Sequence, residues 1–131
     1  EEQRAFKISY IMEDDPELLA KVHQVLKDRN LSYNLEFSNS QFLDIIPFRA
    51  SKGRAVRYLS YKWEFPLKSI MVCGDSGNDE EMLRGVTCGL IVGNYSKELE
   101  HLRGLRRMFF SKKEYAAGII DGIRHYRFLK D

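Results

Sequence analysis

Residues 6–46 carry two alternating patterns in turn. Phe6, Ile8, Tyr10 and Met12 alternate with Lys7, Ser9 and Ile11, the period of two that places one set of side chains on each face of a strand. Glu13, Asp14 and Asp15 follow, and Pro16 then stands where a first helical residue belongs. Asp15 suits the N-cap, and Glu17 suits the positive end of the helix dipole. Leu18, Leu19, Val22, Val25 and Leu26 recur at helical spacing, so the pattern predicts a helix from Pro16 to about Asn30. Leu31, Tyr33, Leu35 and Phe37 restore the period of two. Ser38, Asn39 and Ser40 read as a turn, and residues 42–46 as a further strand ended by Pro47. The last two strands are expected to form a hairpin.

After Pro47 the pattern changes. Residues 52–63 predict a helix with Ala55, Val56, Leu59 and Trp63 on one side, packed on a sheet and stopped by Pro66. Residues 69–73 and 88–92 are short continuous apolar runs, which suits parallel strands buried on both faces. Residues 80–84, 96–102 and 114–128 are expected to be helical, with a short strand at 108–110. Strands that alternate with helices predict an α/β doubly wound sheet. No internal repeat or low-complexity tract interrupts the chain. The expected domains are 1–46 and 47–131.

Bulk properties narrow the function classes. The 131 residues carry 21 basic and 19 acidic side chains, a formal charge of +2, and the basic residues are dispersed. Nucleic acid is therefore not an expected partner. No apolar run approaches the length of a membrane helix, and the start, Glu1-Glu2-Gln3-Arg4, lacks a signal-peptide pattern, so a cytoplasmic protein is expected. A first residue of Glu rather than Met reads as a fragment or a processed product. Cys73 and Cys88 sit in apolar runs without metal-ligand spacing and read as reduced core thiols. His23, His101 and His125 fall on separate predicted helices, and no pair has metal spacing.

The chemistry concentrates in Gly74-Asp75-Ser76-Gly77-Asn78-Asp79, directly after a buried strand. Ligands of open α/β sheets bind at the carboxyl ends of the strands, so a site belongs here. Asp75 is the first polar side chain after the strand, and Asp79 follows four residues later at the start of a helix. Two carboxylates held close repel, and a hard divalent cation relieves that repulsion; oxygen-only ligands favour magnesium. The alternative is a polar turn with an Asp that caps the next helix, but two Gly and two Asp in six residues between a buried strand and a helix favour a metal site. Lys52 opens the preceding helix, where unpaired N–H groups, the helix dipole and an ammonium all suit phosphate, although a lone lysine there is more often just solvated.

Lys52-Gly53 before a helix, then an apolar strand and Gly-Asp-Ser-Gly-Asn-Asp, resembles the haloacid dehalogenase superfamily. The chain is similar, more narrowly, to sucrose-phosphate phosphatase and to the phosphatase-like C-terminal domain of sucrose-phosphate synthase. Phe6-Lys7-Ile8-Ser9-Tyr10, Leu43-Asp44-Ile45-Ile46-Pro47, Ala50-Ser51-Lys52-Gly53, Val92-Gly93-Asn94-Tyr95 and Tyr115-Ala116-Ala117-Gly118-Ile119-Ile120 carry this likeness, which spans nearly the whole chain.

The resemblance implies magnesium as cofactor, with Asp75 a ligand and Asp79 a second ligand or its close support. Lys52 would neutralise the transferring phosphoryl group, and Asn78 and Ser76 would orient these groups. The reaction implied is phosphomonoester hydrolysis of a sugar phosphate through an aspartyl phosphate. The family also carries an Asp-x-Asp-x-Thr/Val nucleophile motif, absent here; Glu13-Asp14-Asp15 has the wrong spacing and no hydroxyl residue. Residues 1–46 would then end an inserted α+β cap, and 47–131 would form the second half of the haloacid dehalogenase core.

The expected partners are the upstream half of the same domain and a glycosyltransferase domain. The isolated chain is expected to be inactive and, with unpaired sheet edges, to dimerise or exchange strands. Asn39, Gln41 and Asp44 near the hairpin are the candidate sugar contacts, with sucrose 6-phosphate the expected substrate. A mannosyl or trehalose phosphate, or a non-catalytic regulatory tail on a sucrose-phosphate synthase, are the alternatives.

Overall fold

The computed structural model describes residues 5–129; the polar start at 1–4 and residues 130–131 lie outside them. The chain divides into two compact units, Glu1–Ser51 and Lys52–Asp131.

The first unit holds β1 (Ile8–Ile11), α1 (Pro16–Asp28), β2 (Tyr33–Ser38) and β3 (Phe42–Pro47). Its sheet is antiparallel in the order β1-β3-β2. The Asp15 side chain accepts from the Glu17 and Leu18 amides at 2.9 and 3.0 Å, satisfying two of the donors a helix start leaves over. Along α1, Leu19, Val22 and Leu26 are half-buried, whereas Leu18 and Val25 at the stripe's edge are exposed. The expected β2–β3 hairpin forms with Phe37 opposite Leu43, the buried residue of this sheet's apolar core. Asn39 and Ser40 both have positive φ, 52° and 51°, and the Gln41 amide donates to the Ser38 carbonyl at 3.2 Å. That closes a tight turn within a three-residue loop, Asn39 to Gln41, between the paired Ser38 and Phe42. β3 runs through Pro47, and the division between units follows at Ser51.

The second unit holds α2 (Lys52–Lys62), β4 (Met71–Gly74), α3 (Glu80–Leu83), β5 (Cys88–Ile91), β6 (Met108–Phe110) and α4 (Tyr115–His125). Its three strands are parallel in the order β4-β5-β6, the arrangement that alternating strands and helices predict. Val72, Leu83, Ile91, Leu99 and Leu102 form the buried core, with Val56, Ile70, Met82, Tyr95, Met108 and Phe110 packed around it. Cys88 is buried and Cys73 half-buried, both as free thiols, and burial pushes the Cys73 thiol pKa up.

Two details of the second unit refine the expected helices. Residues 97–102 are helical, as expected, in 3-10 form. Leu99 and Leu102 are both fully buried and three residues apart, a spacing that a three-residue turn eclipses onto one side. Of the stripe expected on α2, half-buried Val56 packs on the core, whereas Ala55, Leu59 and Trp63 are exposed and the buried residue is Gly53; Trp63 is 58% exposed and lies past the end of the helix. The helix turns its Gly53 side to α3, where a Cβ on Gly53 would stand 2.8 Å from the Glu81 carbonyl oxygen. Among the described residues, no helix is long and apolar enough to cross a membrane.

Candidate functional site

The loop after β4 is built so that its polar groups face one another. β4 ends at Gly74, and the chain leaves the sheet into a single 3-10 turn, Gly77–Asp79, followed at once by α3. Ser76 and Asp79 make a reciprocal capping box: the Ser76 side chain accepts from the Asp79 amide, and the Asp79 side chain accepts from the Ser76 amide. Asp79 Oδ2 takes the Asp75 and Ser76 amides at 3.0 and 3.4 Å. Gly74 makes room for this, because a Cβ there would lie 2.5 Å from the Asp79 Cβ.

Lys52 reaches the loop from the start of α2. Its Nζ donates to Asp79 Oδ1 at 2.6 Å and to Asn78 Oδ1 at 2.5 Å. Asp79 is buried at 6% exposure, so its charge is matched by the ammonium on one oxygen and by amides on the other. Ser76 donates its hydroxyl to Asn78 Oδ1 at 3.2 Å, which turns the amide group of Asn78 toward the same cluster. Of the residues singled out from sequence, Lys52, Ser76, Asn78 and Asp79 thus meet through 26 and 27 residues of separation.

Asp75 stands apart from this network. It is exposed at the carboxyl end of β4, and its side chain has no hydrogen bond or ion pair among the described residues. No group of three His, Cys, Asp or Glu that could hold a metal occurs among the described residues. Magnesium takes one or two carboxylates and keeps several waters, so one free carboxylate with oxygen-only chemistry fits as part of such a site. Asp79 fits better as its support, because both of its oxygens are engaged.

Asn39, Gln41 and Asp44 belong to the other unit. Asn39 is a turn residue, and the Gln41 carbonyl accepts from the Met12 amide at 2.9 Å. Asp44 accepts from Lys7 Nζ at 2.8 Å and from the Ser9 hydroxyl at 2.7 Å across the β1–β3 pair.

One contact was invisible in the sequence. Glu98, in the 3-10 turns after β5, accepts the Gly77 amide at 2.7 Å across 21 residues. Beside it the Ser96 amide donates to the Asp75 carbonyl at 2.7 Å. Nothing in the spacing of Glu98 connects it to the loop; only the parallel pairing of β4 with β5 brings the two carboxyl ends together.

Comparison with known proteins gives the chain a family. The family model of sucrose-6F-phosphate phosphohydrolase matches residues 1–127. The chain belongs to that family, within the haloacid dehalogenase superfamily. Mannosylfructose-phosphate phosphatase of Agrobacterium fabrum is 34% identical over 127 residues, covering 95% of this chain and 51% of that protein. The structure of the sucrose-phosphatase of Synechocystis, solved with sucrose and phosphate, is similar at a TM-score of 0.91 and 31% identity, covering 98% of this chain and 55% of that one. A haloalkanoate-superfamily phosphatase of Bacteroides thetaiotaomicron shares the fold at a TM-score of 0.73 and 19% identity, over 97% of this chain and 44% of that one. The chain spans about half the length of these relatives.

Proposed function

We propose that this chain is the metal-binding and phosphate-clamping half of a phosphatase that hydrolyses the phosphomonoester of sucrose 6-phosphate. The Lys52 ammonium, fixed between Asp79 and Asn78 beside the free carboxylate of Asp75, is the observation that carries this reading. The family membership agrees with it, as does the sucrose named with the Synechocystis relative.

The residues divide the work. Lys52 offsets the negative charge that a phosphoryl group brings and that grows on its oxygens during transfer. Asn78 and Asp79 hold the ammonium in place, so little reorganisation is needed when substrate arrives. Asp75 is the residue to ligate a magnesium ion, and Asp79 the one to brace the loop. A magnesium ion there would supply Lewis-acid polarisation of the phosphoryl oxygens. The nucleophilic carboxylate would come from a preceding half of the domain, within the same protein. A single observation favours a second substrate: the 34% identical relative is named for mannosylfructose phosphate, another sugar phosphate.

The test is phosphate release by the full-length protein with magnesium, from sucrose 6-phosphate and from mannosylfructose phosphate, beside an Asp75→Asn control. Release from sucrose 6-phosphate that disappears in the control supports the reading. Release only from mannosylfructose phosphate moves the substrate. No release from either, in a protein that still makes sucrose phosphate from a nucleotide sugar, makes this chain a regulatory tail of a sucrose-phosphate synthase.

A further inference from the structure

We propose that Glu98 is a positioning residue for the loop that carries Asp75 and Asp79, acting through the Gly77 amide; this rests on the metal reading above. Three observations converge on it.

The first is the bond itself. Glu98 Oε2 lies 2.7 Å from the Gly77 nitrogen, a charge-assisted contact from outside the loop. Gly77 opens the 3-10 turn, and the first amides of such a turn have no partner within it. A carboxylate placed there satisfies the donor and complements the positive end of the turn.

The second is that the loop needs an external hold. Gly77–Asp79 is one turn, too short to be stable by its own hydrogen bonds. The capping box fixes Ser76 against Asp79, and Lys52 ties Asn78 to Asp79. Gly77 lies between them, and Glu98 is the group that orients its peptide.

The third is that Glu98 is itself firmly seated. Leu99 and Leu102, next to it and one turn beyond, are fully buried. The Ser96 amide donates to the Asp75 carbonyl at 2.7 Å. His101 Nδ1 lies 2.7 Å from the Glu98 carbonyl oxygen, and its Nε2 lies 3.1 Å from Glu80 Oε1 on α3. The turns after β5 therefore brace the Asp75 backbone through Ser96 and the Gly77 backbone through Glu98. Both residues that flank Ser76 are held from the same element, and the direction in which the Asp75 carboxylate leaves the sheet follows.

The test compares wild type with Glu98→Ala, Glu98→Gln, Asp75→Asn and Glu100→Ala. Glu100 is on the same turns but exposed and bonded to Arg103 and Tyr95, which hold its carboxyl down to about 2. Two quantities are read on each: hydrogen exchange of the Gly77 amide by NMR, and magnesium affinity by calorimetry. Outer partners of metal ligands typically alter affinity by about 10-fold or more. Glu98→Ala should speed Gly77 exchange and weaken magnesium binding about 10-fold; Glu98→Gln, which keeps an oxygen acceptor, should restore most of both. Glu100→Ala should change neither. If Glu98→Ala does not fold, Glu98→Asp decides, because its shorter side chain draws the carboxylate back from the Gly77 amide: exchange should speed up and magnesium affinity fall.

Unchanged magnesium affinity in Glu98→Ala, or in Glu98→Asp where the alanine variant does not fold, overturns the proposal even if exchange is faster, because Glu98 would then be merely structural. Unchanged exchange overturns it as well. The exchange arm needs no metal. Loss of magnesium response from wild type, or an Asp75→Asn variant that binds normally, counts instead against the metal reading.

Discussion

Asp79 divides its carboxylate between Lys52 and its own loop, one oxygen 2.6 Å from the ammonium and the other accepting the Asp75 and Ser76 amides. These two halves differ in weight. The amides are part-buried or buried, so an alanine at 79 leaves them without an acceptor, a loss of about 1–3 kcal/mol. The Lys52 side chain is 46% exposed, where water screens and replaces an ion pair, so its removal is worth about 1 kcal/mol or less. Chemical denaturation should therefore rank Asp79→Ala well below Lys52→Ala in stability, while both lower turnover in the full-length protein. An equal loss in the two would mean that the pair is coupled more tightly than its exposure suggests.

Gly74→Ala should damage the site without touching a polar group. The added Cβ would meet Asp79 Cβ at 2.5 Å and Cγ at 2.9 Å, and neither can swing away as the end of a flexible chain could. Overpacking of this kind is worth about 1–3 kcal/mol. The displaced Asp79 would release the Asp75 and Ser76 amides, so magnesium affinity should fall with stability. A variant of wild-type affinity would show that the loop can shift as a body.

The sequence carried the elements because their signals are local. Asp15 and Pro16 mark the start of α1, and the apolar runs at 70–73 and 88–91 mark the parallel strands. The loop from Gly74 to Asp79 was legible for the same reason: its Gly and Asp residues are contiguous, and a strand points it at the sheet's carboxyl edge. What the sequence hid depends on pairing across the fold. The Leu59–Trp63 face of α2 has the right period for a core stripe, but helix α3 takes the neighbouring face through Gly53. The Glu98–Gly77 bond spans 21 residues and exists because β5 lies beside β4. Periodicity reports that a helix has a buried face; it does not report which neighbour selects it.

The hairpin turn separates a structural role from a recognition role. Asn39 and Ser40 both sit at positive φ, where a side chain is strained and glycine is not. Ser40→Gly should raise the stability of the first unit by about 0.5–1 kcal/mol, measured by denaturation or amide exchange. Asn39→Gly keeps the turn while removing the side chain, so stability should stay within about 0.5 kcal/mol. A fall in sugar-phosphate affinity of the full-length protein in Asn39→Gly, with the turn intact, would assign that side chain to recognition; unchanged affinity would leave it to the turn alone.

Tyr126 makes the second unit sensitive to alkali. Its hydroxyl lies 2.8 Å from the carbonyl oxygens of Gly89 and Arg107, tying the end of α4 to β5 and to the approach to β6. Burial pushes its pKa up to about 12, with the Cys88 thiol adding to the rise and Arg107 opposing it. An unfolded tyrosine ionises near 10. The folded state therefore holds the proton more tightly, so this contribution is complete below about pH 10 and is lost as pH rises toward 12. Tyr126→Phe should lower stability by about 1 kcal/mol at neutral pH, because the two carbonyls lose the one hydroxyl hydrogen they share, while the Arg107 carbonyl keeps the Gly89 amide. It should also flatten the decline between pH 10 and 12, which denaturant midpoints across that range would reveal. A variant whose decline matches wild type would place the alkaline sensitivity in another group.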